Sequence, residues 1–418
     1  MKQRNLILAM ACAAPFISAC SGGGGGGGSE SQPLVEAALC PSSVDYNTVY
    51  TGGGGDGELV KLQIDTTKMT WQITFVESPV PKTTGTAAPT RAGTTQSGTL
   101  TQETLLPTQK LNNCAFRLNG ASLDPNRPAR IFLGMGIVGG TIPGAEIQYG
   151  GLLGQGAIPD TTFPYYPFIA FSSLETDVTK LAGTYSQLGY GQVGSQNFAP
   201  TTIDAKVTIN PDGTWVRCDT TGIYAGTCRQ PGTNIVQSAD GTGAFETDHY
   251  QGQVKPTLAT IPQAKGYIIV GKLRNQLVPI MIRTGVANPN PTPDANGVPG
   301  LTADDESGIS ILAPQTAIAV GSQNGEYIGV DSQFDYRTTA LVNAQATLLD
   351  PFQASQASLA TPLNLDYTQA VPGTVTSTHV GASSTTPTGK FIFTGGVFGF
   401  LDMSNSSSPY FTVGAFVQ

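Results

Sequence analysis

Strict alternation of apolar and polar side chains is the strongest pattern along the chain. Val60, Leu62 and Ile64 fall on one face of an extended segment and Lys61 and Gln63 on the other, and Met69, Trp71, Ile73 and Phe75 repeat the period beyond Asp65-Thr66-Thr67-Lys68. The two runs predict a hairpin. Farther on, Ile328, Val330, Phe334 and Tyr336 share a face opposite Asp331, Gln333, Asp335 and Arg337, as antiparallel strands with one buried side require. Val207 and Ile209 lead into Asn210-Pro211-Asp212-Gly213, which places Pro and Gly where β-turns use them, and residues 215–218 continue beyond it. Residues 267–270, 277–282 and 391–393 are near-continuous apolar runs and predict strands covered on both faces.

No long 3.6-residue period runs free of Gly and Pro. The best helical segment is 338–349, and its alanines fit a strand's alternation equally. With 29 prolines and 52 glycines bounding many short strands, the fold expected is all-β, as antiparallel sandwich or barrel domains with long Gly/Pro/Thr-rich loops. A β-propeller is the alternative, weakened by the lack of an internal repeat. Residues 79–104 and 288–308 show no apolar period and predict exposed loops; Gly52 to Gly57 predicts a strand connection. A chain of 418 residues exceeds what one core fills, so two domains are expected, 34–165 and 166–418. The boundary is set at the proline-containing stretch 159–167, because Leu181-Ala182-Gly183-Thr184-Tyr185 after it resembles the opening strand of a lipocalin-like barrel.

The N-terminus carries an address. Lys2 and Arg4 precede an apolar run from Leu6 to Ile17 that is too short to span a bilayer and contains Pro15, the order of a secretory signal peptide. Ile17-Ser18-Ala19-Cys20 matches the lipobox, so residues 1–19 resemble the signal peptide of Gram-negative bacterial lipoproteins. That resemblance implies lipidation of Cys20, attachment to the membrane through N-terminal acyl chains, palmitate among them, and sorting to the outer membrane, because Ser21 rather than Asp follows the Cys. Residues 20–33, with Gly22 to Gly28, then act as a flexible tether. The lipobox, the glycine tether and the strand Gly57-Glu58-Leu59-Val60-Lys61-Leu62 together resemble an uncharacterised betaproteobacterial lipoprotein family.

Charge narrows the function. The formal net charge of −8 becomes two units more negative once Lys2 and Arg4 leave with the signal peptide, and no basic stripe exists for nucleic acid. Apart from the cysteines in the leader and at the lipobox, Cys40, Cys114, Cys218 and Cys228 lie in a disulfide-permitting compartment and allow three connectivities. Cys218 and Cys228 flank a short Gly-containing polar segment as hairpin arms would; Cys40 with Cys114 follows by elimination. No Cys-x-x-Cys or His cluster suggests a metal. Calcium is a weak candidate cofactor: Asp294 and Asn296 begin, and Asp305 ends, a twelve-residue spacing, but Pro299 stands where the loop needs Gly, and Asp304-Asp305-Glu306 otherwise predicts a solvated acidic loop. His249, beside Glu246 and Asp248, is the weak catalytic candidate, without a Gly-x-Ser-x-Gly elbow; His379 sits among Ser and Thr. The expectation is therefore a non-enzymatic envelope lipoprotein with a binding or structural role and an envelope protein or glycan as partner. The alternative is a hydrolase of polysaccharide or ester.

Overall fold

The alternating runs build three antiparallel sheets in succession. The computed structural model describes residues 38–147 (except 85 and 87), 161–220, 225–229, 234–247, 263–286, 303–353, 361–381, 386–405 and 407–416. Strands β1 (Val49–Gly54), β2 (Leu59–Asp65), β3 (Thr70–Glu77), β4 (Thr95–Gln102), β5 (Ala115–Leu118), β6 (Arg130–Gly134), β7 (Ile137–Ile147) and β8 (Thr161–Phe171) close an N-terminal barrel through the β1–β8 pairing. The second sheet contains β9 (Gly183–Val193), β10 (Ala199–Ile209), β11 (Trp215–Asp219), β12 (Cys228–Arg229), β13 (Val236–Gln237), β14 (Phe245–Thr247), β15 (Lys265–Leu273), β16 (Gln276–Thr284) and β17 (Glu306–Pro314). These nine run in the order β12-β11-β10-β9-β17-β16-β15-β14-β13. A second closed barrel follows, from β18 (Gly325–Asp331), β19 (Tyr336–Val342), β20 (Gln345–Leu349), β21 (Thr361–Asp366), β22 (Thr374–His379), β23 (Gly389–Thr394), β24 (Val397–Asp402) and β25 (Tyr410–Phe416), sealed by β18–β25.

Register explains why the alternation is so regular. In the β2–β3 hairpin, Val60 faces Phe75, Leu62 faces Ile73 and Ile64 faces Trp71, so directly opposed apolar side chains enter the N-terminal lumen together. Both lumens are filled with apolar side chains, the inverse of a porin-type barrel with its polar interior. The continuous apolar runs have the predicted cause: in β15, Ile268 and Val270 join one core while Tyr267 and Ile269 join another. The second of these cores is shared, because Leu59, Ile169 and Phe171 of the first barrel and Ile392, Leu401 and Phe411 of the last pack on the same face of the middle sheet. The barrels also touch directly: Tyr165 Oη donates to Phe334 O at 2.6 Å, and the Arg130 guanidinium lies 3.9 Å from the centre of the Phe352 ring.

Several sequence expectations need correction. Residues 79–104 are not one exposed loop, since they include β4 and the buried Arg91, whose guanidinium binds Glu58. Gly52 to Gly54 belong to β1 itself. Gly52 is required there: a Cβ would stand 2.0 Å from Ile169 O. Asp304, Asp305 and Glu306 are buried rather than solvated, because Arg283 pairs with Asp304 and Glu306 and the Ser195 amide donates to Asp305. The segment 338–349 resolves to β19 and β20. The expected 165/166 boundary lies inside β8, and the breaks between sheets fall after Phe171 and after Pro314. The structure joins Cys40 to Cys114 and Cys218 to Cys228, with Cα atoms 5.8 and 4.0 Å apart.

Candidate functional site

The two barrels end differently. In the first, Arg91 reaches into one end of the lumen from the loop after β3: its guanidinium sits 4.1 Å over the Phe75 ring, donates to Glu58 and to Pro143 O and Gly144 O, and leaves no room. Glu58 is fully buried, and also takes a hydrogen bond from Ser78. Asp56 lies beside this pair, 3.6 Å from the guanidinium. Burial pushes its carboxyl well above the ordinary range, and the neighbouring Glu58 charge adds to the effect, with Arg91 opposing.

The last barrel is open at its corresponding polar end. On β18 and β19, alternation sends Ile328, Val330 and Tyr336 outward against the N-terminal barrel and turns Asp331 and Arg337 into the lumen. Val375, Ser377 and His379 form the same kind of row on β22, as do Phe398, Phe400 and Asp402 on β24, with Tyr410 directly opposite Asp402 on β25. The rows stack an apolar floor of Leu341, Phe393 and Phe398 beneath a polar rim. A cavity of about 390 Å³ opens there, lined by Leu348, Leu363, Phe400, Arg337, His379 and Tyr410 among others. That volume lies at the lower end of the range for small-molecule sites, ~300 to 1,000 Å³.

The rim is internally paired. Arg337 Nε donates to Asp331 at 2.8 Å and Nη2 to Asp335 at 3.2 Å, while Asp331 also accepts the Gln333 and Asp335 amides. His379 Nε2 and Asp402 Oδ2 are 2.7 Å apart, and the Ser404 amide donates to the other oxygen of Asp402. Burial raises the Asp331 carboxyl, with the Arg337 charge working against it. Burial also pushes the Tyr410 hydroxyl well up, its Oη being enclosed beside Asp331 and Arg337. Phe400 stacks on Phe391 with ring centres 4.1 Å apart and lies 5.9 Å from Tyr410.

A second, wider cavity of about 620 Å³ lies between the middle sheet and the last barrel, bridged by Lys390 to Asp204 and edged by Cys218. Its lining is polar and scattered, with no comparable convergence of aromatic and ionised groups.

The residues singled out from sequence are dispersed. His249, Asp294, Asn296 and Cys20 lie outside the described residues. Asp305 is buried in the middle sheet, with Ser195 N as its donor, and no group of three His, Cys, Asp or Glu suited to a metal exists among the described residues. The sequence reading missed His379, Asp402 and Tyr410. A signal was present: Val375, Ser377 and His379 keep the period-2 row whose other members are core, which places a histidine on an inward face.

Architecture and cavity together define the class as an all-β protein in which two closed barrels flank a nine-stranded sheet and one barrel keeps an open, polar mouth. The family model described as "Protein of unknown function (DUF2957)" matches residues 70–415, and the chain belongs to that family. No curated protein matches its sequence. Among solved structures it is similar to two crystal structures of the vaccine antigen Transferrin Binding Protein B from Haemophilus parasuis Hp5, a single and a double mutant, each at 10% identity. The TM-scores are 0.16 and 0.18, with 87% and 89% of this chain covered. The chain spans just under two thirds of those chains, 66% and 64%.

Proposed function

We propose that the protein is a lipid-tethered binding protein of the outer membrane, anchored at Cys20 and holding its ligand at the mouth of the C-terminal barrel. One observation carries the reading: the cavity of about 390 Å³ at that mouth, lined by aromatic and polar side chains, stands where the N-terminal barrel is plugged by Arg91. A barrel closed by backbone hydrogen bonds presents such a site already formed, so little ordering opposes binding. On this reading residues 1–19 are removed, residues 20–33 are the tether, and the first barrel and the middle sheet are the frame that carries the binding barrel.

A crystallographic fragment screen tests it. Fragments are expected to collect against Phe400 and Tyr410; a screen of several hundred compounds that leaves the mouth empty while occupying other surfaces would defeat the reading.

The hydrolase alternative has one observation in its favour, the His379–Asp402 pair. Among the described residues it lacks a nucleophile on the strand of His379. Ser377 is two residues away on the same strand, about 6.6 Å along it at a ~3.3 Å rise, beyond the hydrogen-bond reach that activates a serine. Ester, glycosidic and peptide substrates are therefore expected to go unturned; turnover lost on His379→Ala would favour the hydrolase.

A further inference from the structure

The mouth of the C-terminal barrel has a chemical bias that follows from which of its groups are already spoken for. Asp331, Asp335 and Asp402 stand at or just behind its rim against two permanent cations, Arg337, which bonds Asp331 and Asp335, and Arg127, which bonds Asp335 from the first barrel. An anionic ligand would therefore meet a surplus of negative charge, and each like-charge contact at 4 Å costs several-fold in affinity even under strong solvent screening. A cationic ligand fares little better. Its natural partners, Asp331 and Asp335, are held by charge-assisted bonds to Arg337, which it would have to break.

What remains uncommitted is neutral. Among the described residues, His379 Nδ1 and the Gln333 side-chain amide have no hydrogen-bond partner, and both residues line the cavity, whereas Tyr410 Oη is enclosed beside Asp331 and Arg337. Imidazole and amide together offer both donors and acceptors. Phe400 and Leu363 supply an apolar wall beside them. We infer that this mouth takes an uncharged, hydroxyl-rich ring, a neutral glycan unit, whose hydroxyls exchange hydrogen bonds with Gln333 and His379 while its C–H face lies on Phe400. The inference rests on the mouth being the binding site.

The test is a glycan array probed with the detergent-solubilised mature protein, carrying neutral oligosaccharides alongside their uronic-acid and amino-sugar counterparts. Neutral glycans are expected to bind, with charged counterparts of the same linkage at least tenfold weaker. Gln333→Ala, which keeps the backbone bonds, should lower affinity about five- to tenfold, the share of one hydrogen bond. Uronic acids or amino sugars as the tightest binders overturn the inference, and so does an array without a bound glycan. The fragment screen separates the two failures: fragments at the mouth with no glycan bound means that the ligand class is wrong and the binding reading stands, whereas an empty mouth in both removes both.

Discussion

Two buried carboxylates in the N-terminal barrel titrate in opposite directions, and the difference lies in what faces them. Glu103 is enclosed, which opposes ionisation, but hydrogen bonds from Arg117 and Arg130 outweigh burial and hold its carboxyl down from 4.5 to about 2. Its folded pKa is depressed, so its contribution is complete above pH 4.5 and is lost as pH falls towards 2. Glu103→Gln should cost about 3 kcal/mol at pH 7, because it strands the buried Arg130 beside Arg117, and the deficit should shrink in melts taken at successively lower pH. Asp56 shows the reverse case. Its folded pKa is raised above 3.8, so the folded state holds the proton more tightly and stability declines as pH climbs past that value. Asp56→Asn keeps an acceptor for the Glu58 amide and removes the buried charge. Its melting temperature should exceed that of the wild type by about 1 to 3 °C at pH 8, with the gap closing below pH 4; a lower melting temperature at pH 8 would mean that the Asp56 charge is needed to hold Arg91.

At the scale of elements, the two disulfides constrain loops of different length, with sequence separations of 74 and 10. The chain-entropy model gives about 4 kcal/mol for the larger loop and under ~3 for the smaller. Replacing Cys40 and Cys114 together by Ala should therefore lower the denaturation midpoint more than replacing Cys218 and Cys228, a ranking that chemical denaturation reads directly. Elements of this kind were legible in the sequence to the extent that they alternate. The β2–β3 hairpin, the turn at residues 210–213 and the doubly covered β15 and β16 follow from side-chain period alone, because period 2 assigns each residue to a face. What stayed hidden depends on contacts across long separations. Arg91 is polar and lies in a Thr- and Gly-rich stretch, so nothing local reveals that Glu58, 33 residues earlier, draws it into the lumen. Asp304 and Glu306 look like solvated charges until Arg283 of the neighbouring strand is placed between them. His379 and Asp402 meet across β23, in the row that runs through Ser377, Gly389 and Asp402, and no spacing in the chain encodes those two strand registers.

For the whole molecule, the decisive relation on the proposed reading is between the described residues, which start at residue 38, and the lipidation expected at Cys20. The described residues contain no helix long and apolar enough to cross a bilayer, and both barrels are packed with apolar side chains inside, Trp71, Phe75 and Tyr50 in one and Phe391, Phe398 and Phe400 in the other. A barrel that spanned the outer membrane would instead carry an apolar band around its outside. The outward face of β4 runs the other way: Thr95, Ser97, Thr99 and Thr101 are exposed. Membrane attachment on the proposed reading then rests on acyl chains alone, each buried CH₂ contributing about 0.8 kcal/mol, and several chains make the attachment effectively permanent. Cys20→Ala removes every chain at once and changes none of the described residues, which start at residue 38. The variant should move from the membrane pellet to the soluble fraction on cell fractionation and keep the melting temperature of the wild type. If it stays in the pellet after a carbonate wash, the body itself holds the membrane, and the tethered reading gives way to one in which the outer surface of a barrel meets lipid.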